Sequence, residues 1–244
     1  RPNTVIEALE RAMQGCRQLL GKPAPSVSLK SSSSAGMEYE ISGFVESMDQ
    51  KRMVRNQLFD LAYRHLHASG VSLLSSVESN APANLSRPRA LLDTSTIFST
   101  LRQEEKDTLS QNMTLQTFRA GELILPAGEV SDHLLIIESG VISVELSRGG
   151  VLFESGRMGP GEVIGEGGIL SDTALPAQFT AKTFCSLYRI EKEYLKPYLD
   201  ARHDIGEAMK ALLDFRLNKA RTLTQEVPKV VEKRGFLQWL RNRA

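Results

Sequence analysis

The sequence predicts an α+β protein: a small α/β sandwich followed by an all-β roll with flanking helices. Three observations carry this. Apolar residues recur at helical spacing, then at period two, then at helical spacing again over the first seventy or so residues. A stretch rich in Ser, Asn, Ala and Pro then interrupts all periodicity between Ser75 and Arg89. Beyond it, short strand-like runs are punctuated by Gly121, Gly128, Gly140, Gly149, Gly150, Gly156, Gly159 and Gly161, the pattern of tight turns between β-strands.

Each element follows from its residues. Thr4 to Leu20 places Val5, Ile6, Leu9, Ala12, Met13, Cys16, Leu19 and Leu20 on one helical stripe, with Asn3 able to cap it and Gly21 to end it. Ala24 to Lys30 alternates and meets the turn Ser31 to Ser34; Met37 to Ser47 alternates again, giving a second strand antiparallel to the first. Asp49 to Ser69 returns to helical spacing through Met53, Val54, Leu58, Leu61, Ala62 and Leu66, and Val71 to Leu74 reads as a short last strand. The order α-β-β-α-β places helices on one face of a small sheet. After Phe98, a helix from Gln103 to Met113 leads into strands at Thr114–Arg119, Leu123–Pro126, His133–Glu138, Val141–Ser147, Val151–Met158 and Gln178–Ile190. The chain turns helical again from Glu191, with Leu195, Leu199, Ile205, Met209, Leu212, Leu213, Phe215 and Leu217 on its apolar face. The expected division is 1–76 for the first domain, 77–96 for a linker, 97–226 for the roll with its helices and 227–244 for a tail.

Composition bounds the function. A net charge of +1 argues against a dedicated nucleic-acid binder, which concentrates Lys and Arg on one surface. Cys16 and Cys185 fall in different domains without metal-ligand spacing or a disulfide framework, which fits a reducing compartment. No apolar run reaches the roughly eighteen residues of a membrane span, and no signal peptide precedes the first helix. A chain that starts with Arg1 reads as a piece of something longer.

Catalysis and metal binding have little support. No nucleophile elbow or phosphate loop with its lysine is present. His65 and His67 flank Leu66 and so point to different sides of a helix, which excludes an i, i+4 metal pair. His133 and His203 have no cysteine or acidic cluster to complete a site. We therefore expect no enzyme, no metal and no resident cofactor.

The strings Phe118-Arg-Ala-Gly121-Glu122, Ala127-Gly128-Glu129, Leu134-Leu-Ile-Ile-Glu-Ser-Gly140 and Pro160-Gly161-Glu162-Val-Ile-Gly165-Glu166 resemble the cyclic-nucleotide-binding domain family in order and spacing. The resemblance implies a ligand site at Ile164, Gly165, Glu166, Gly167, Gly168 and Ile169, continuing to Leu175, Pro176 and Ala177. Backbone N–H groups at a helix N-terminus would face a cyclic phosphate there. Glu166 would accept a hydrogen bond from a ribose hydroxyl, and the glycines at 167 and 168 would let backbone approach the ligand closely. One departure matters. The family's phosphate-clamping arginine falls at Leu175, within Ala174-Leu-Pro-Ala-Gln178, and no arginine occurs from Glu162 to Leu187. A charge-assisted contact of this kind contributes about 1.5–3 kcal/mol, so the resemblance implies cAMP or cGMP bound weakly or not at all, or another nucleotide taken instead.

The first domain carries a second resemblance. Arg1-Pro-Asn-Thr-Val-Ile-Glu-Ala-Leu-Glu-Arg-Ala, Pro23-Ala-Pro25-Ser-Val-Ser-Leu, Tyr39-Glu-Ile-Ser-Gly-Phe-Val and Leu66-His-Ala-Ser-Gly70-Val look like the cytoplasmic α/β domain of small-conductance mechanosensitive channels. This implies a homo-oligomer (a heptamer in that family), a membrane-embedded parent with this part soluble, and a location on the cytoplasmic side of the bacterial inner membrane. Two rivals remain. A transcription regulator of catabolite-activator type shares the roll and long helix but needs a helix-turn-helix module, for which the residues after Glu226 are too few. A structural oligomerisation domain would keep the scaffold without sensing. The basic amphipathic tail from Lys229 to Ala244 can bind anionic lipid or an acidic partner, or dock by its apolar side.

Overall fold

The structure is a computed structural model, and it describes residues 1–34, 36–71 and 86–225. The N-terminal part contains α1 (Pro2–Gly15), the hairpin strands β1 (Ser26–Ser33) and β2 (Gly36–Ser42), a 3₁₀ turn (Met48–Gln50) and α2 (Lys51–Ala68). The apolar stripe of α1, with Ala8, Leu9 and Ala12 buried, packs on Val54, Leu61, Ala62 and Leu66 of α2. Val27, Tyr39 and Ile41 of the hairpin cover the same cluster from one side. The strands pair antiparallel, Val27 opposite Ile41, as their alternation predicts. The first helix stops at Gly15 rather than Leu20. Cys16 is already extended, although its buried side chain continues the stripe. Of the expected strand Val71–Leu74, Val71 is coil and the rest lies outside the described residues, as does the tail.

The expected linker contains a helix, α3 (Arg87–Thr94), which corrects the sequence reading. Pro88 sits in its first turn, where a missing N–H costs nothing, and Leu91 and Leu92 are buried. Next come α4 (Gln103–Ser110), whose N-terminus is closed by Glu105 accepting from the Arg102 backbone N–H at 2.7 Å, and then the roll.

Eight strands form two antiparallel four-stranded sheets: β3 (Thr114–Phe118), β4 (Leu123–Leu125), β5 (His133–Ser139), β6 (Ile142–Arg148), β7 (Val151–Met158), β8 (Val163–Ile164), β9 (Ala177–Ala181) and β10 (Cys185–Glu191). One sheet has the order β3-β10-β5-β8, the other β4-β9-β6-β7. The continuous apolar run of β5 is explained by burial on both faces. Leu135 and Ile137 join Ile142, Leu146, Phe179 and Leu187 in one core. Leu134 and Ile136 join Phe98, Leu109, Tyr188 and Ile190 in the other, under the helices. The single strand expected over Gln178–Ile190 is two strands in different sheets. The chain crosses between them at Lys182 and Thr183, whose N–H groups both reach Val141 O. That corner contains neither Gly nor Pro, so composition gave no sign of it.

The short helix α5 (Glu166–Ser171) lies between β8 and β9, and two helices follow the roll: α6 (Lys192–Ala201) and α7 (His203–Gln225). Helix α7 returns along α5 and β6 and inserts Leu213 and Ala220 into the roll's core. No described helix is long and apolar enough to cross a membrane, and no group of metal-ligating side chains occurs among the described residues.

The N-terminal elements touch the roll along β7 and the loop after it. Arg157 Nη1 donates to Gln14 O at 2.7 Å, and Arg17 Nη1 donates to Ser155 O at 3.2 Å. Arg64 Nη1 of α2 donates to both Pro160 O and Glu162 Oε2 at 3.1 Å.

Candidate functional site: the cassette beneath α7

Residues 164–169, the corner where β8 turns into α5, begin a segment, the cassette, that runs on to Leu175, Pro176 and Ala177. Ile164 is buried in β8 opposite Leu135, and Ile169 reaches the second core. Gly165 adopts φ 103°, a left-handed conformation that favours glycine, and a Cβ there would collide with His133 O. The glycines at 167 and 168 serve a different purpose from the one the sequence implies. A Cβ on Gly167 would strike Thr173 O, and one on Gly168 would strike Ser131 O. Their bare faces are filled by the chain's own backbone, so they hold the corner closed rather than open it to a ligand.

Glu166 is fully buried. Burial of a carboxylate is tolerable only with a partner, and the partner comes from fifty residues away. Arg216 Nη1 on α7 donates to Glu166 Oε1 at 2.7 Å, while Arg216 Nη2 donates to Val163 O at 2.8 Å. The other carboxylate oxygen, Oε2, is buried with no hydrogen-bond partner. Sequence reasoning about residues 162–187 therefore missed a cation: the corner lacks its own arginine, and α7 supplies one. The helical spacing of Leu212, Arg216 and Lys219 on a face shared with buried Leu213 and Ala220 was the available signal.

Between α7, β6, β7 and β9 lies a cavity of about 150 Å³. Leu175, Pro176 and Ala177 line it together with Leu212, Phe215, Arg216 and Lys219. None of Ile164 to Ile169 lines it. Leu175, at the position expected for a clamping arginine, packs into the roll's core, and its carbonyl accepts from Gly128 N at 2.9 Å. Small-molecule sites usually enclose about 300–1,000 Å³, so this cavity in its present form is too small for a nucleotide. Four charged side chains border it. Arg157 is held by Glu154 at 2.8 Å, Arg216 by Glu166, and Glu162 by Arg64; Lys219 has no ion pair among the described residues.

The geometry is that of an antiparallel roll crossed by a C-terminal helix, with a buried acid at a glycine-rich corner. Residues 115–202 match the cyclic nucleotide-binding domain family. The chain carries a cyclic nucleotide-binding domain. The match includes the roll and α6 but neither α7 nor the first domain.

Among solved structures, the chain is similar to the regulatory subunit of a cAMP-independent protein kinase A from Trypanosoma cruzi bound to guanosine. The identity is 20%, covering 56% of this chain and 49% of that one, with a TM-score of 0.49. It is similar to the catabolite activator protein of Thermus thermophilus at 23% identity over 52% of this chain and 60% of that one, TM-score 0.46. It is also similar to the N-terminal domain of a transcriptional regulator from Streptomyces coelicolor A3(2), at 23% identity over 57% and 99% of the two chains, TM-score 0.43. The chain thus spans about half the length of the first two.

Proposed function

We propose that this chain is the regulatory region of a membrane channel of the small-conductance mechanosensitive type, in which the roll senses a cyclic nucleotide and α7 reports its presence. The observation that carries the sensing part is the buried ion pair between Glu166 and Arg216, which ties α7 to the cassette corner. In the structure α7 is already closed over a cavity of about 150 Å³. A nucleotide enters only if α7 moves outward, so the entry-competent arrangement is selected first, and α7 then closes over the ligand and shifts the population of its positions.

That selection has a cost. Parting a buried ion pair costs about 3–5 kcal/mol, and a site competent only in a minor conformation has its affinity reduced by the fraction open. Apparent affinity for cAMP or cGMP then falls to about tens of micromolar or weaker. Calorimetry on the chain tests this directly; low-micromolar binding of either nucleotide overturns it.

The channel context rests on the resemblance carried by the N-terminal residues of the sequence. Under this reading the chain belongs to a homo-oligomer on the cytoplasmic side of the bacterial inner membrane. Several apolar spans encoded just upstream of Arg1 are the expected result, and a start codon close to Arg1 removes this reading.

A further inference from the structure

We propose that the anion-recognising cations of this site have moved from the cassette to α7, so that Lys219 and Arg216 receive the ligand's phosphate. The proposal rests on the reading of the roll as a cyclic-nucleotide sensor and adds which residues select the charge. The cassette position that would face the phosphate is Leu175, buried in the apolar core. Leu175, Arg216 and Lys219 line the same cavity, so the charge missing from one wall is present on another.

Lys219 and Arg216 are three residues apart, which sets both side chains on one face of the helix. Their situations differ. Arg216 is engaged by Glu166 and Val163 O, whereas Lys219 is exposed at the cavity wall and has no ion pair among the described residues. Its ammonium rests over β7 at Gly156, where even a Cβ would lie 3.4 Å from Nζ. Arg157 and Glu162, the other charges on the wall, are each neutralised by a neighbour. The surplus charge of the cavity is therefore the Lys219 ammonium, and it suits an anion.

The corner itself is incomplete in the complementary sense. Glu166 Oε2 is buried and lacks a donor, which a ligand hydroxyl supplies once α7 has moved. A phosphate-bearing ribonucleoside offers both groups: hydroxyl to Glu166, phosphate to α7. Because both cations are on the moving helix, charge recognition and reclosure of α7 are one event.

The test measures binding of cAMP and of adenosine, which lacks the phosphate, to the full 244-residue chain and to K219E and R216K. Lys219 is exposed, so K219E leaves the packing of α7 intact; R216K retains a cation for Glu166. The expected result is a loss of about tenfold or more in cAMP affinity for K219E, a smaller loss for R216K, and adenosine binding within about twofold of the parent chain. Unchanged cAMP affinity in both variants overturns the assignment while leaving the sensor reading intact. Equal weakening of cAMP and adenosine also overturns it, since the effect then does not depend on charge. Failure of the parent chain to bind either compound removes the sensor reading together with this one.

Discussion

Burial in α2, reinforced by the positive charges of Arg64 and Arg11, holds the His65 imidazole down at about 3. Its Nε2 has no hydrogen-bond partner, and the ring faces Gly159 across the domain boundary. In the unfolded chain the same group titrates near 6.5. Between these values the unfolded state binds more protons than the folded one, so stability falls as pH drops below about 6.5 and continues to fall toward 3. From pH 7 to pH 5 the loss attributable to His65 is on the order of 2 kcal/mol. Urea titrations at the two pH values should show this difference, and His65→Leu, which removes the titration, should reduce it. An unchanged difference would assign the acid sensitivity elsewhere. Gly168 makes the opposite kind of prediction, independent of pH. Its missing Cβ leaves room for Ser131 O, so Gly168→Ala should destabilise the roll by about 3 kcal/mol or more. A glycine kept for ligand approach would instead lose ligand affinity with stability intact.

At the scale of elements, α3 shows what local sequence reading cannot reach. Its segment looks like a linker, yet Arg89 is almost wholly buried and donates to Asp93 Oδ2 and Asp107 Oδ1, each at 2.6 Å, and to Gln103. Lys106 of α4, also buried, reaches Asp93 at 2.8 Å. The network fastens α3 to α4, and only the folded chain brings its members together. Arg89→Ala should cost about 3 kcal/mol, the low end for removing one partner of a buried pair, because Asp93 and Asp107 remain partly hydrated. Thermal unfolding followed by circular dichroism checks it; a shift no larger than that of a surface substitution would show the network to be dispensable. The elements with strong periodicity were legible: α2 and β5 to β7 fall within a few residues of expectation, whereas α1 and β2 each end five residues early and β1 runs on to Ser33 through the expected turn. The corner between β9 and β10 was not, because its turn lacks Gly and Pro. The cassette was legible only in part. Gly165, Glu166 and the substitution at Leu175 could be read in order along the chain. The Glu166–Arg216 pair depends on where α7 lies, which periodicity does not specify.

Across the whole molecule, the cassette corner and the first domain share a short connection. The loop Gly159–Glu162 leaves β7 and enters β8, immediately ahead of Gly165 and Glu166. Glu162 Oε2 accepts from Gly159 N at 2.8 Å, bracing the loop, and from Arg64 Nη1 at 3.1 Å, anchoring it to α2. Arg64 and Arg216 also border a second cavity of about 370 Å³, so α2, the loop and α7 meet around one space. A shift of α7 that moves Arg216 would therefore alter a wall of the space that Arg64 of α2 also lines. The Arg64–Glu162 pair is partly exposed, with side chains 27% and 36% accessible, which limits its strength to about 1 kcal/mol. Arg64→Ala should then speed amide exchange of residues 159–162 by about fivefold, with the amides of the β3–β10 ladder unchanged. If cAMP protects α2 in the parent chain, the variant should lose that protection while retaining the protection of α7. Protection of α2 that persists without Arg64 would mean that the domains communicate through the α1 contacts of Gln14 and Arg17 with β7 instead.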